Sequence, residues 1–111
     1  MITTHILDTA HGRPADGVGV VLERIVGAEW KVLGSGQTDA DGRLRTLLSD
    51  AVPVVPGVYR LVFETGRYFE SRGLPVFHPQ VIVVFTAAAG EGHYHVPLLV
   101  SPYGYTTYRG S

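Results

Sequence analysis

Along most of this chain apolar and polar residues alternate every second position, the period of a β-strand. Residues 58–64 show it most plainly: Tyr59, Leu61 and Phe63 fall on one face, and Val58, Arg60, Val62 and Glu64 on the other. Residues 2–7 alternate in the same way. Residues 18–26 form a longer β-branched run holding Glu23 and Arg24, and 30–35 and 43–48 are the third and fourth runs. Residues 80–86 are almost wholly apolar, which predicts a central strand covered on both faces. Residues 93–100 and 103–109 complete a set of eight. Turn signals separate the runs: Gly12-Arg13-Pro14-Ala15-Asp16-Gly17, Asp39-Ala40-Asp41-Gly42, Pro56-Gly57 and residues 87–92. Short strands at this spacing predict an antiparallel sandwich or a small barrel. One segment departs from the period. Residues 67–74, Arg67 to Leu74, predict two turns of helix stopped by Gly73 and Pro75.

The chain has 111 residues and shows no repeat, linker or low-complexity tract, so a single domain, 1–111, is expected. A domain this small buries only about 60–68% of its unfolded surface. Self-association would add burial, and the apolar, aromatic C-terminal region is the expected surface for it. The net charge is −1, with no basic stripe, which argues against nucleic acid as a partner. The longest apolar run, 81–85, falls far short of the roughly 20 residues of a membrane span. Cysteine is absent, which excludes disulfides, thiolate nucleophiles and Cys-based metal sites. Met1-Ile2-Thr3-Thr4-His5 has no basic segment leading into an apolar one, so no secretory leader is expected. The cytoplasm is the expected location.

Polar chemistry concentrates in a few places. His93 and His95 lie two apart on a predicted strand and therefore share a face. From spacing alone they are metal ligands, an acid–base pair or satisfied polar residues at a sheet surface. A zinc site needs three or four protein ligands, and His-X-His supplies two. His5 interrupts an apolar strand. Arg43 follows the turn Asp41-Gly42, and Arg45 shares its face. Asp39 and Asp41 have the look of a calcium loop but lack its twelfth-position Glu, and read as a turn. His11 and His78 read as loop residues. Neither a phosphate-binding glycine loop nor a Gly-X-Ser-X-Gly elbow is present. The terminal Tyr108-Arg109-Gly110-Ser111 follows a packed strand, and so puts a hydroxyl, a guanidinium and a carboxylate where packing does not need them. Imidazole, guanidinium, hydroxyl and carboxylate suit water activation at a carbonyl better than redox or phosphoryl transfer.

Five segments, in order, resemble one family: Thr3-Thr4-His5-Ile6-Leu7-Asp8-Thr9-Ala10, Asp41-Gly42-Arg43, Phe63-Glu64-Thr65-Gly66-Arg67-Tyr68-Phe69, His93-Tyr94-His95-Val96-Pro97-Leu98-Leu99 and Tyr108-Arg109-Gly110-Ser111. The family is 5-hydroxyisourate hydrolase, also called transthyretin-like protein. The resemblance implies an all-β, eight-stranded antiparallel β-sandwich with one short helix. It implies a homotetramer, a dimer of dimers, with sites in the channel where the dimers meet. The implied activity is hydrolysis of 5-hydroxyisourate, with no cofactor and no metal. The implied catalytic residues are His5, Arg43, His95 and Ser111. Substrate binding is expected from His5, Arg43, Tyr108, Arg109, Gly110 and Ser111. Transthyretin, the hormone carrier of the same fold, has Lys, Glu and Thr at the positions matching His5, Arg43 and His95, and lacks the Tyr-Arg-Gly-Ser end. This chain has the hydrolase residue at each.

Overall fold

The computed structural model describes residues 1–111. The alternating runs fold into two sheets packed face to face. The first is built on β1 (Ile2–Asp8), β2 (Arg13–Pro14), β5 (Arg43–Leu44), β8 (Tyr94–Ser101) and β9 (Gly104–Thr107), in the order β2-β1-β8-β9 with β5 also pairing β1. The second is β3 (Gly19–Val26), β4 (Glu29–Gln37), β6 (Gly57–Phe63) and β7 (Val81–Ala87), in the order β4-β3-β6-β7. The expected all-β sandwich is present. The inward residues of the two sheets meet in one core that includes Ile2, Ile6, Leu22, Tyr59, Leu61, Phe63, Val96 and Leu98. The alternation in β6 holds: Tyr59, Leu61 and Phe63 are buried. No helix is long and apolar enough to cross a membrane.

Five features differ from the sequence reading. A two-residue strand, β2, lies at Arg13–Pro14 within the stretch read as a turn, so the strands number nine and not eight. β1 and β8 pair in parallel, from Ile2 opposite Tyr94 to Asp8 opposite Val100, so the sandwich is not wholly antiparallel. Alternation fixes which face a strand buries but carries no information on its direction. The run 43–48 keeps strand pairing only at Arg43 and Leu44, because the chain then leaves the sheet to bury Leu47 and Leu48 in the core. β7 is an edge strand and not a central one. Val81 and Val83 face the core, while Ile82 and Val84 on the other face are uncovered, at 44% and 57% exposure. Finally, α1 runs over Thr65–Ser71, starting two residues and ending three residues earlier than predicted. Its end is closed by Gly73 N–H to the Glu70 carbonyl and Leu74 N–H to the Phe69 carbonyl, both 3.0 Å, which is the Schellman arrangement.

A buried polar cluster ties α1 to the first sheet. Asp8, at 1% exposure, accepts hydrogen bonds from the Tyr68 hydroxyl (2.6 Å) and from the backbone N–H groups of Ala10 and His11 (2.9 and 3.0 Å). The His11 ring meets Oδ2, the oxygen that also accepts from Tyr68, through Nδ1. Burial alone would raise the pKa of Asp8, but the bonds from Tyr68 and His11 outweigh it and hold the carboxyl below its usual range. The same contact, with burial first, pushes the Tyr68 hydroxyl up to about 12. Asp8 and Tyr68 both lie in segments that carry the family resemblance, and their role is to join the layers.

Candidate active site

The site lies on the outer face of the first sheet. In β1 the core side takes Ile2, Thr4, Ile6 and Asp8, so Thr3 and His5 point outward. In β8 the core side takes Tyr94 and Val96, so His95 points outward beside them. The register sets Thr3 opposite His95 and His5 opposite Arg43. Strand pairing alone therefore brings His5, Arg43 and His95 to one patch.

The turn before β5 aims two of these residues. The Asp39 carboxylate accepts from the N–H groups of Asp41 (2.9 Å) and Arg43 (3.0 Å), and the resulting loop presents the Asp41 carbonyl to His5 Nε2 at 2.9 Å. A carbonyl can only accept, so Nε2 of His5 carries the hydrogen and Nδ1 of the neutral ring keeps its lone pair. Gly42 has φ 74°, and a Cβ there would lie 2.4 Å from the Ile6 carbonyl oxygen. No other residue lets the turn sit this close to β1.

The tail packs directly on His95. Gly110 N–H donates to the His95 carbonyl at 2.8 Å, and a Cβ on Gly110 would stand 2.5 Å from Cδ2 of the ring. Arg109 holds the tail in place through an ion pair with Glu91 and a position 4.5 Å over the Tyr94 ring. His95 Nδ1 lies 2.8 Å from the Thr3 hydroxyl, and its Nε2 has no partner within the chain. Burial, then the charges of Arg43, His5, His93 and Arg45, lower the His95 pKa below its ordinary value. The ring is therefore neutral, and a base, at pH 7.

These groups enclose a hollow of about 190 Å³ lined by Thr3, Arg43, Arg45, His93, His95 and Ser111, among others. It is not the largest hollow. An apolar one of about 330 Å³ lies between β7 and the tail and takes in Tyr108 and Arg109. The smaller hollow is singled out by the convergence of imidazole, guanidinium and hydroxyl groups. Of the residues expected at the site, Arg43, His95 and Ser111 line it. His5 adjoins it through its pairing with Arg43, and Gly110 backs the His95 ring. Tyr108 and Arg109 point away from it. Four lining residues, Met1, Thr3, Thr4 and Arg45, had no role in the sequence reading. Thr3 and Thr4 were visible only as members of the first resembling segment, and Arg45 as a residue sharing the face of Arg43. His93 and His95 do share a face, as expected. No group of three or more His, Asp and Glu side chains is close enough together to hold a metal ion.

A family model for the HIUase/Transthyretin family matches residues 2–110. The chain belongs to the HIUase/Transthyretin family. It is 49% identical over 111 residues to a 5-hydroxyisourate hydrolase of Salmonella dublin, a match covering 100% of this chain and 81% of that protein. Among solved structures it resembles the 5-hydroxyisourate hydrolase of Klebsiella pneumoniae, with TM-score 0.86 and 40% identity over 99% of this chain and 97% of that one. It also resembles sea bream transthyretin in complex with thyroxine, with TM-score 0.90 and 35% identity over 98% and 93%. The fold is thus common to a hydrolase and to a transthyretin, and the fold alone does not separate them.

Proposed function

We propose that this protein hydrolyses 5-hydroxyisourate, opening the N1–C6 amide bond to give 2-oxo-4-hydroxy-4-carboxy-5-ureidoimidazoline, without a metal. The observation that carries this reading is the meeting of His95, Arg43 and Ser111 in one hollow beside His5. Identity of 49% over 111 residues to a 5-hydroxyisourate hydrolase supports it. Water attacks C6, and the neutral His95 ring takes its proton on Nε2, the nitrogen without a protein partner. Arg43 presents forked donors to the oxygen-rich substrate and stabilises the charge that builds on the C6 oxygen. The proton returns to N1 as the ring opens. His5, with a bare Nδ1, is the second acid–base group. Ser111 hydrogen-bonds substrate or water. Arg109 serves by fastening the tail that carries Gly110 and Ser111.

The working unit is a homotetramer, a dimer of dimers, with its sites where the dimers meet. The uncovered apolar face of β7, with Ile82 and Val84, and the exposed Tyr103, Tyr105 and Tyr108 supply surface for such contacts. Tyr108, which points away from the hollow of its own protomer, is assigned to that interface. The protein works as one domain in the cytoplasm.

The test is the decay of 5-hydroxyisourate, made in place by urate oxidase and followed by ultraviolet absorbance. Acceleration that persists in EDTA and disappears in His95→Asn is expected. Positioned acid–base catalysis is worth about 10²–10⁴-fold. A His95→Asn variant turning over at the wild-type rate would overturn the assignment.

A further inference from the structure

Thr3 stands between two histidines. Its Oγ1 lies 2.8 Å from Nδ1 of His95 and 3.4 Å from Nε2 of His93. The side chain is 6% exposed, so water does not readily replace either partner. A hydroxyl has one hydrogen to give. It can donate to one ring nitrogen while accepting from the other, but it cannot donate to both. Only two arrangements satisfy both contacts. In one, Thr3 donates to His93 Nε2 and accepts from His95 Nδ1–H, which leaves His95 Nε2 as a bare lone pair with no partner in the chain. In the other, Thr3 donates to His95 Nδ1, which puts the His95 proton on Nε2. The first is a base and the second an acid.

We infer that Thr3 is a positioning residue that couples the tautomers of His93 and His95, so that the neutral His95 ring enters the reaction with Nε2 free and leaves it through the same nitrogen. This rests on the proposed hydrolysis. When Nε2 takes the proton of the attacking water, Nδ1–H continues to donate to the Thr3 hydroxyl, now as a charge-assisted bond of greater strength. Exchange of the two neutral arrangements requires each ring to release a proton from one nitrogen to solvent and take one up at the other, together with rotation of the Thr3 hydroxyl, but no movement of either ring. His93 thereby gains a part in the cycle. Its ring touches no reacting atom, but it accepts the Thr3 hydrogen that keeps Nε2 of His95 bare. The titratable and cationic groups facing His95 are His5 on β1, Arg43 and Arg45 at β5 and His93 before β8. The two arginines oppose an imidazolium, so the Thr3 oxygen is one of few groups that favour it.

The experiment combines Thr3→Val, which keeps the shape and β-branching, with Thr3→Ser, which restores the hydroxyl, and His93→Gln on the exposed neighbour. Imidazole ¹⁵N shifts of His95 report the tautomer, and kcat is followed against pH with 5-hydroxyisourate. Loss of one hydrogen bond predicts about a tenfold fall in kcat for Thr3→Val, with KM little changed. The acid limb of the profile should move to lower pH, because the imidazolium has lost its acceptor. The ¹⁵N shifts should pass from one tautomer to a mixture, and Thr3→Ser should recover all three. His93→Gln should shift the His95 tautomer with the fold intact, which keeps the idea testable if Thr3→Val fails to fold. An unchanged His95 tautomer and acid limb in both Thr3→Val and His93→Gln would overturn the inference. The ¹⁵N readout does not use substrate, so it stands or falls separately from the hydrolase reading.

Discussion

Replacing Gly110 with Ala adds a single methyl group and should cost most of the activity. The added carbon would lie 2.5 Å from His95 Cδ2 and 3.2 Å from Pro97 Cγ. Carbon atoms rest at about 3.5–4.0 Å, so the ring and the tail must part by at least about 1 Å. The ring has little freedom to yield, because Nδ1 is held by Thr3 and the backbone carbonyl by Gly110 itself. A displacement of about 1 Å at a reacting group costs on the order of 10²-fold. The expected result is therefore a fall in kcat of about that size. Global stability should change little, since Gly110 lies outside the core. Gly104→Ala is the control. It makes the same chemical change in the neighbouring hairpin, where the new carbon would meet only Ser101 Oγ at 3.9 Å, an ordinary contact. The assay is the absorbance decay of 5-hydroxyisourate, with urea unfolding of both variants. Wild-type kcat in Gly110→Ala would refute the argument that the tail positions His95.

Three further outcomes are expected. Tyr68→Phe should destabilise the fold by about 1.5–3 kcal/mol, the range for a hydrogen bond to a charged group, read from urea unfolding at pH 7. Because the Asp8 pKa is depressed in the folded state, the stability it contributes is present above its unfolded pKa and is lost as pH falls through the folded value; the difference between wild type and Tyr68→Phe should narrow below pH ~4. Arg43→Gln should raise KM and move the acid limb of the pH profile upward, because, after burial, the Arg43 charge is the main influence that lowers the His95 pKa; an unmoved limb would separate Arg43 from that ring. A chain lacking Tyr108 to Ser111 should keep its melting temperature within a few degrees and lose its activity, and full activity would show that the tail has no part in the site.

The sequence made the faces of the strands legible and left their neighbours largely hidden. The alternation in β6 assigned every side chain to the correct face, because a period of two is a local property. The parallel pairing of β1 with β8 is a choice among partners more than ninety residues away, and nothing local encodes it. β7 misled because an apolar run reads the same whether its second face is covered by its own chain or left open on one molecule. The site followed the same division. His5, Arg43, His95 and the tail stood out through resemblance, whereas Thr3 lay in a resembling segment with no role assigned to it. Its importance comes from register, which sets it opposite His95. The departure of the chain after Leu44 could not be read either, since Leu47 and Leu48 continue an apolar pattern that suits a strand as well as a buried loop.

The parallel pairing of β1 with β8 also bears on how the protein is made. Thr3 and His95 are 92 positions apart, and the Met1 carbonyl accepts from Tyr94 N–H across a similar span. Closing so long a loop is entropically costly before any contact repays it, and folds dominated by such pairings form slowly. During synthesis β1 emerges first and waits, with Ile2, Thr4 and Ile6 unpaired along one side, until nearly all of the chain has followed. A ribosome that stalls before His93 therefore releases a chain with the second sheet's sequence complete, an open strand edge and no hollow at all. Such fragments should be recognised by their tendency to aggregate through β1, and none should accelerate the decay of 5-hydroxyisourate.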